Sequence, residues 1–471
     1  MTFARRRERT IGAACWQTGM EKTKVAIVGL GTIGTGVARL LLDHGDRTAR
    51  HAGRTLWLEA VVDRDVTRPR NVDLPDGLLS DDLARITQNR EIKVVVELIG
   101  GLEPARTIVL ELLRNGKDIV TANKALLAEH GAELFDTARE LGRSIAFEAS
   151  VAGGIPIITN ISQCLSANQI LSLRGILNGT SNFILTQMEE HDRDYAASVA
   201  EAQRLGYAEA NPAMDVNGSD AAQKLAILAH LAFGAQVNWK KIPRIGIDTV
   251  DVADLRYAKE LGYSIKLLAV ARLVPEGLEL HVSPTLVRHG SPLAEVRGAY
   301  NAIRIIGDAV GQVFLHGLGA GQMPTASAVV ADVIDTILGR TAITFEALGL
   351  WSGDREAPVT AGDPDMAPGR FYLRFNVDDT PGVLAELAGV LGRHKISIAS
   401  VIQHESDEEV DELFRYIYEE QLDIAEKNTE NARTAISFAF VAAHLERIAD
   451  YATNICEETV FSLEGRYRMA L

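Results

Sequence analysis

The chain has 471 residues, 47% hydrophobic and 24% charged, a globular usage that excludes a disordered or collagen-like polymer and predicts about three domains. A formal charge of −15 argues against a nucleic-acid partner, which calls for a basic face, and no apolar run approaches the ~18 residues of a membrane span. Cys15, Cys164 and Cys456 are the only cysteines; they are too few and too scattered for a disulfide framework or a thiolate zinc site, so a reducing, cytoplasmic setting is expected.

Residues 1–19, with Arg5, Arg6, Arg7 and Arg9 ahead of a short apolar stretch broken at Trp16, read as a disordered extension rather than an export signal. Met20 reads as the natural start, because a strand opens directly after it. From Lys24 the chain runs as an apolar strand into Gly29, Gly31 and Gly34, and then into a helix with Val37, Leu40 and Leu41 on one face. Strand, GxGxxG and helix together predict a dinucleotide site. The first glycine makes the turn, the second admits a pyrophosphate, and the third lets helix pack on strand. The free N–H groups of the helix start face the phosphates. A second strand at 56–64 ends in Asp63-Arg64, an acid for a ribose hydroxyl beside a base for a 2′-phosphate. Both NAD and NADP remain open, with the weight towards NADP; Arg68 and Arg70 follow closely. The stretch from His44 to Thr55 reads as an inserted loop. Further strands at 92–99, 119–121 and 144–148 alternate with helices and predict a doubly wound parallel sheet over residues 20–150.

Asp220 and Lys224 stand four apart in a helical pattern, so they share one face. An ammonium there can polarise an aldehyde oxygen and deliver its proton; taken alone, the pair reads first as a surface ion pair. Lys124 follows a strand end, where open α/β sheets bind their ligands. Eleven histidines form no HxxxH or HExxH pair, which argues against a catalytic transition metal.

Several stretches occur in a fixed order: Thr121-Ala122-Asn123-Lys124, Glu148 to Pro156, Gly175 to Asn182, Gly206-Tyr207-Ala208-Glu209, Asp215 to Lys224, and Gly319 to Asp332. Together they closely resemble homoserine dehydrogenase over residues 22–403. The resemblance implies NAD(P)H-dependent interconversion of L-aspartate 4-semialdehyde and L-homoserine in threonine, methionine and isoleucine biosynthesis. It implies Lys224 as proton donor, Lys124 near nicotinamide and substrate, and Asp220, Glu209 and Asp215 as substrate contacts. Cofactor contacts would come from Gly29, Gly31, Thr32, Ile33, Gly34, Asp63, Arg64, Gly100, Lys124, Gly206 and Gly321. Glu148, Val151, Gly153 and Ile155 would bind a structural monovalent cation such as sodium; that oxygen-only set suits a hard ion. Asn211 stands where the family commonly has an acid, and a small effect is expected because Asn keeps a turn-forming side chain. A homodimer or higher homo-oligomer is also implied.

The fold class is therefore α/β: a Rossmann-type domain (20–150), an α+β substrate and dimerisation domain (151–322), and a helix returning to the first domain (323–351). After a linker at 352–369, residues 370–403 resemble the first strand, helix and second strand of an ACT domain, an amino-acid-sensing module. From 404 the composition turns acidic, with eleven acids against Arg415 and Lys427 between Glu405 and Glu430. Residues 404–471 read as a PhoU-like helical segment: the stretch 443–458 resembles the terminal helix of PhoU-type phosphate-signalling regulators, with Val441, Leu445, Ile448, Ala452 and Ile455 as a packed seam. Asp407/Asp411 and Glu446/Asp450 fit that family's metal-motif spacing. The alternative function is a catalytically degenerate regulator acting through this tail in phosphate signalling.

Overall fold

Runs such as Val25-Ala26-Ile27-Val28 and Val94-Val95-Val96 are apolar at every position, the pattern of strands covered on both faces. In the computed structural model, which describes residues 21–275, 277–352, 370–377 and 381–402, these runs form the centre of a parallel sheet. Its strands are β1 (Lys22–Val28), β2 (Thr55–Val62), β3 (Leu79–Ser80), β4 (Ile92–Glu97), β5 (Asp118–Thr121) and β6 (Ile145–Ala146). They lie in the order β3-β2-β1-β4-β5-β6, the arrangement of a dinucleotide-binding fold with its crevice between β1 and β4. The expected strand at 144–148 shortens to two residues because Glu148–Ser150 turns into a 3-10 helix.

A second sheet, antiparallel, has the order β11-β10-β7-β8-β9. It is built from β7 (Ile170–Ile176), β8 (Tyr263–Val274), β9 (Gly277–Arg288), β10 (Tyr300–Gly307) and β11 (Gly311–Leu318). Leu173, Ala271, Leu280, Val282, Ile303 and Ile305 belong to the main core. The helices that matter for the site are α1 (Thr32–Asp43), α2 (Gly45–Ala52), α3 (Ala105–Arg114), α4 (Lys124–Glu140), α5 (Gly179–His191), α6 (Tyr195–Arg204), α7 (Ser219–Phe233), α8 (Val252–Glu260), α9 (Gln322–Ile337) and α10 (Arg340–Leu348).

The chain crosses back to the first sheet through α9. Its Ala326, Val329, Val330 and Val333 share one core with Val25, Ile27 and Val37. A Cβ on Gly36 would come within 3.0 Å of the α9 side chains of Gln322 and Ala326, so glycine is what lets α1 and α9 touch. An aromatic box ties α4, α7 and α10 together. Phe135 stacks on Phe345 at 5.1 Å between ring centroids and tilts against Trp351 at 4.6 Å, while Trp351 stacks on His230 at 4.4 Å.

Two expectations give way. The segment after His44 is a helix, α2, not a loop: Thr48, Ala49 and Ala52 bury one face, and Gly53 at φ +65° ends it. Residues 370–377 and 396–402 form no strand, although the expected helix between them exists as α11 (Val383–Arg393). A strand is held by its neighbours' backbone, and a fragment this short is marginal alone. Phe371, Leu373 and Phe375, the apolar residues of the alternation, are 79%, 55% and 50% exposed. The alternate residues hold instead: Tyr372 donates to Asp254 at 2.9 Å and Arg374 reaches the same carboxylate at 3.2 Å, at the capping box that opens α8.

The structure divides into residues 1–376 and 377–471. The extension at 1–19, nearly all of the linker, and the PhoU-like stretch with Asp407, Asp411, Glu446 and Asp450 lie outside the described residues. No helix among the described residues is long and apolar enough to cross a membrane.

Phe135 is fully buried at the centre of the aromatic box. Phe135→Ala is therefore expected to cost ~3–5 kcal/mol, read as a lower urea midpoint with an unchanged denaturant slope.

Candidate functional site

The three glycines of the first turn have three different surroundings. A Cβ on Gly29, at φ +97°, would sit 2.6 Å from the Leu98 carbonyl, and one on Gly34 would sit 2.1 Å from the Gly29 carbonyl oxygen. Gly31 has nothing within 4 Å of that position. Two glycines are thus demanded by packing, while the middle one opens on free space where a ligand can approach the backbone. No side chain caps the N-terminus of α1, so its N–H groups at Thr32 and Ile33 face outward from that turn.

Asp63 lies beside this loop, and its carboxylate is already in use. It accepts from the Leu30 backbone N–H at 2.6 Å and from Asp65 N–H at 3.0 Å, and it pairs with Arg70 at 3.2 Å. Arg70 in turn donates to the Leu30 carbonyl at 3.0 Å. Of the three arginines after the strand, Arg64 and Arg68 are exposed and Arg64 stands next to Asp63. Gly100 closes the other side of the crevice at φ +79°.

Across the crevice, α7 presents Asp220 and Lys224 one turn apart. Gly218, at φ +79°, swings the chain into this helix. Lys224 Nζ donates to Asp220 Oδ2 at 2.7 Å and to the Leu177 carbonyl at 2.6 Å. Lys124 Nζ, from the first turn of α4, stands 3.0 Å from Asp220 Oδ1. One buried carboxylate therefore sits between two ammonium groups supplied by two different helices, α4 and α7. Asn178 completes the cluster, donating to Asp215 at 2.8 Å and to Asp220 at 2.8 Å while its carbonyl caps α5 through the Ser181 N–H.

The electrostatics follow from burial and from that shared acid. Burial alone would raise the Asp220 carboxyl, but Lys224 and then Lys124 outweigh it and hold the group far below the usual carboxylate range. The Asp220 charge holds the Lys124 ammonium above its ordinary value. Burial pushes Lys224 the other way, below the ordinary 10.5, with its attraction to Asp220 only partly compensating. Burial also raises Asp215, the Asn178 bond notwithstanding.

Glu209 lies on the exposed loop after α6, which Gln203 holds by donating to the Glu209 carbonyl at 3.1 Å. Its charge acts on Lys124. Gly206, at φ +78°, turns the chain into that loop, and Thr180 donates to the Tyr207 carbonyl at 2.7 Å. Asn211 accepts from Ala213 N–H at 3.2 Å, keeping the turn. Gly321, at φ +116°, precedes α9.

The expected cation loop is a tight turn, with Ile155 N–H donating to the Ala152 carbonyl at 2.7 Å. The Glu148 carboxylate is engaged elsewhere. It receives Ile158 N–H at 2.9 Å and Thr159 N–H at 2.8 Å, together with the Thr159 hydroxyl, and so caps the short helix at Ile157–Thr159. Burial raises its pKa. Its own N–H donates to Asp332 at 2.8 Å. Among the described residues no group of three or more His, Cys, Asp or Glu side chains is placed to hold a metal ion.

Asn178 and Arg70 are working residues that had no assigned role. Asn178 directly before a helix start carried an N-cap signal. For Arg70 no local pattern points to a contact with the glycine turn forty positions earlier.

Residues 29–148 match the profile for the homoserine dehydrogenase NAD binding domain and residues 156–334 that for homoserine dehydrogenase. Residues 392–459 match the PhoU domain. The homoserine dehydrogenase of Pseudomonas aeruginosa is 44% identical over 402 residues, covering 83% of this chain and 90% of that protein. The one from Neisseria gonorrhoeae is 42% identical over 82% of this chain and 88% of its own length. The crystal structure of a homoserine dehydrogenase from Thiobacillus denitrificans aligns with a TM-score of 0.69 at 40% identity, covering 82% of this chain and 89% of that one. A hyperthermophilic archaeal homoserine dehydrogenase in complex with NADPH aligns at 0.57 and 26% identity, covering 68% and 98%. With this agreement across both sheets, the chain belongs to the homoserine dehydrogenase family.

Proposed function

We propose that this enzyme interconverts L-aspartate 4-semialdehyde and L-homoserine with Lys224 as the proton donor. The observation that carries this reading is the Lys124–Asp220–Lys224 cluster beside an open glycine turn. The nicotinamide dinucleotide supplies or accepts the hydride. Lys224, buried and held on the Asp220 carboxylate, gives its proton to the aldehyde oxygen as hydride reaches the carbon, and takes it back in the reverse direction. Asp220 orients that ammonium, and Lys124 adds a second positive charge on the cofactor side. Glu209 and Asp215 supply negative charge for the substrate ammonium. A degenerate regulator is the weaker reading, because every member of this cluster is present and paired.

NADP is the favoured dinucleotide. Asp63 is occupied by Leu30 and Arg70, whereas Arg64 is free to pair a 2′-phosphate. The carbonyls of Val151, Gly153 and Ile155, on a turn where a Cβ at Gly153 would meet Thr325 Oγ1 at 2.8 Å, are the donors for a sodium-like ion of structural role, with Glu148 as a brace beside them. Pairing of two copies through the antiparallel sheet fits its uncovered edge strand β11, which ends in the exposed Leu318. A cytoplasmic setting fits the three scattered cysteines.

Following nicotinamide absorbance with homoserine and each oxidised cofactor tests the activity; folded protein without turnover on either rejects it. Lys224→Ala should lower kcat by ~10²–10⁴-fold while leaving cofactor affinity near the parent value, and an unchanged kcat would remove Lys224 from the mechanism.

Because burial lowers Lys224, the sign of the pH dependence is fixed. Aldehyde reduction needs the protonated form, so its rate should fall as pH rises through a value below 10.5, and homoserine oxidation should rise over the same interval. A limb at or above that value contradicts the assignment.

Gly31→Val meets open space in the protein itself, so it should fold normally and weaken dinucleotide binding by at least ~10-fold, about 1.4 kcal/mol; normal cofactor titration would count against the turn. Arg64→Ala should raise KM for NADP more than for NAD, and equal changes would show that Arg64 points elsewhere.

A further inference from the structure

Glu97 ends β4 fully buried, and it makes no ion pair among the described residues. A carboxylate in that position is costly unless donors surround it, and three do. Oε1 accepts from Ile99 N–H at 2.8 Å and from Gly100 N–H at 3.4 Å, and Oε2 accepts from the Thr121 hydroxyl at 2.6 Å. Thr121 Oγ then accepts from Asn123 N–H at 3.0 Å. Asn123 donates from its amide to the Gly101 carbonyl at 2.7 Å and accepts Leu126 N–H at 3.1 Å, which caps the helix that begins with Lys124.

These bonds close a ring between two elements with different tasks. On one side is the 98–101 loop, which packs directly on the glycine turn, since the Gly29 Cβ position falls 2.6–2.8 Å from Leu98 and Ile99 backbone atoms. On the other side is the α4 start, whose first residue reaches Asp220 at 3.0 Å. The connection from dinucleotide turn to substrate cluster is continuous: Gly29, Leu98–Gly101, Glu97, Thr121, Asn123, Lys124, Asp220. A hydrophobic pair at the adjacent positions Glu97 and Thr121 would fill a sheet interior at no desolvation cost. Polar groups here fix direction rather than add bulk.

We propose that Glu97, with Thr121 and Asn123, is a positioning residue that couples dinucleotide binding to the placement of Lys124 in the substrate site. It touches neither ligand. It acts because seating a dinucleotide on the glycine turn holds the 98–101 loop, and the ring transmits that order to the first turn of α4. This deepens the proposed function and rests on it.

Coupling between two ligands is measurable as the ratio of affinities for one without and with the other. The test titrates NADPH into the full chain in the absence and presence of saturating homoserine, a pair that does not react. The parent enzyme is expected to bind NADPH at least ~5-fold tighter with homoserine present. Thr121→Val, which removes the hydroxyl at the centre of the ring, is expected to bring that ratio below about twofold and to lower kcat more than it raises either KM. Thr121→Ser, which keeps the hydroxyl, should recover most of the coupling. Should Thr121→Val not fold, Glu97→Gln is read by the same criteria, since an amide has one accepting oxygen where the carboxylate uses two, and either the loop or the Thr121 bond is lost. A parent ratio below twofold overturns the proposal. So does a folded variant that keeps both the parent ratio and kcat, because a purely structural role would show as lower thermal stability alone. Absence of homoserine-dependent turnover in the parent instead rejects the proposed function, and that assay is run first.

Discussion

One carboxylate between two ammonium groups sets the terms for the rest of the molecule. Asp220 is almost wholly buried, with Lys224 and Lys124 at 2.7 Å and 3.0 Å from its two oxygens. Removing Asp220 would leave two neighbouring ammonium groups without their shared counter-charge, which is strongly destabilising. The cluster therefore requires both sheets to be assembled before it is tolerable. It also divides the lysines: Lys224 is lowered by burial and Lys124 is raised by the acid. Two groups of the same type thus shift in opposite directions because their surroundings differ.

The aromatic box is how two domains hold such short distances. Phe135 sits eleven residues along α4 from Lys124, roughly 16 Å at helical rise, and His230 six residues along α7 from Lys224, roughly 9 Å. Trp351 bridges them, fitted where a Cβ on Gly131 would come within 2.9 Å of its ring. Its backbone N–H donates to His230 Nε2 at 2.7 Å, while Nδ1 meets the Ala235 carbonyl at 3.1 Å. That pattern requires the neutral ring with its proton on Nδ1, and burial favours the neutral form. A charged imidazole would lose the bond that anchors Trp351. The two lysine-bearing helices are thus clamped at one end by rings and joined at the other by charge.

The parts legible in the sequence are those whose cause is local. The glycine turn was readable because strand, spacing and helix lie within fifteen residues, and the Asp220–Lys224 face followed from helical period. Lys124 was marked by its place after a strand end, and the family resemblance added the loop of Glu209. What escaped depends on partners far along the chain. The α2 segment looked like an insertion because its buried face is only Thr48, Ala49 and Ala52. Residues 370–377 alternate as a strand should, yet the polar side found Asp254 and the apolar side found no ladder among the described residues. Glu148 had the chemistry of a cation ligand, and only the folded turn reveals that its oxygens cap Ile157–Thr159. Asn178 was in view inside a motif, but its bridge between Asp215 and Asp220 needed the helix after it.

The tether at Asp63 has a consequence for redesign. In many dinucleotide folds the acid at the end of the second strand is a free selector, and exchanging it re-addresses the enzyme from one cofactor to the other. Here the same carboxylate pins Leu30 inside the glycine turn and neutralises Arg70. Replacing it would slacken the glycine turn around Leu30 and leave the Arg70 charge without this partner. Position 63 thus carries a structural task in the turn itself, so an exchange there is a change of local fold before it is a change of charge.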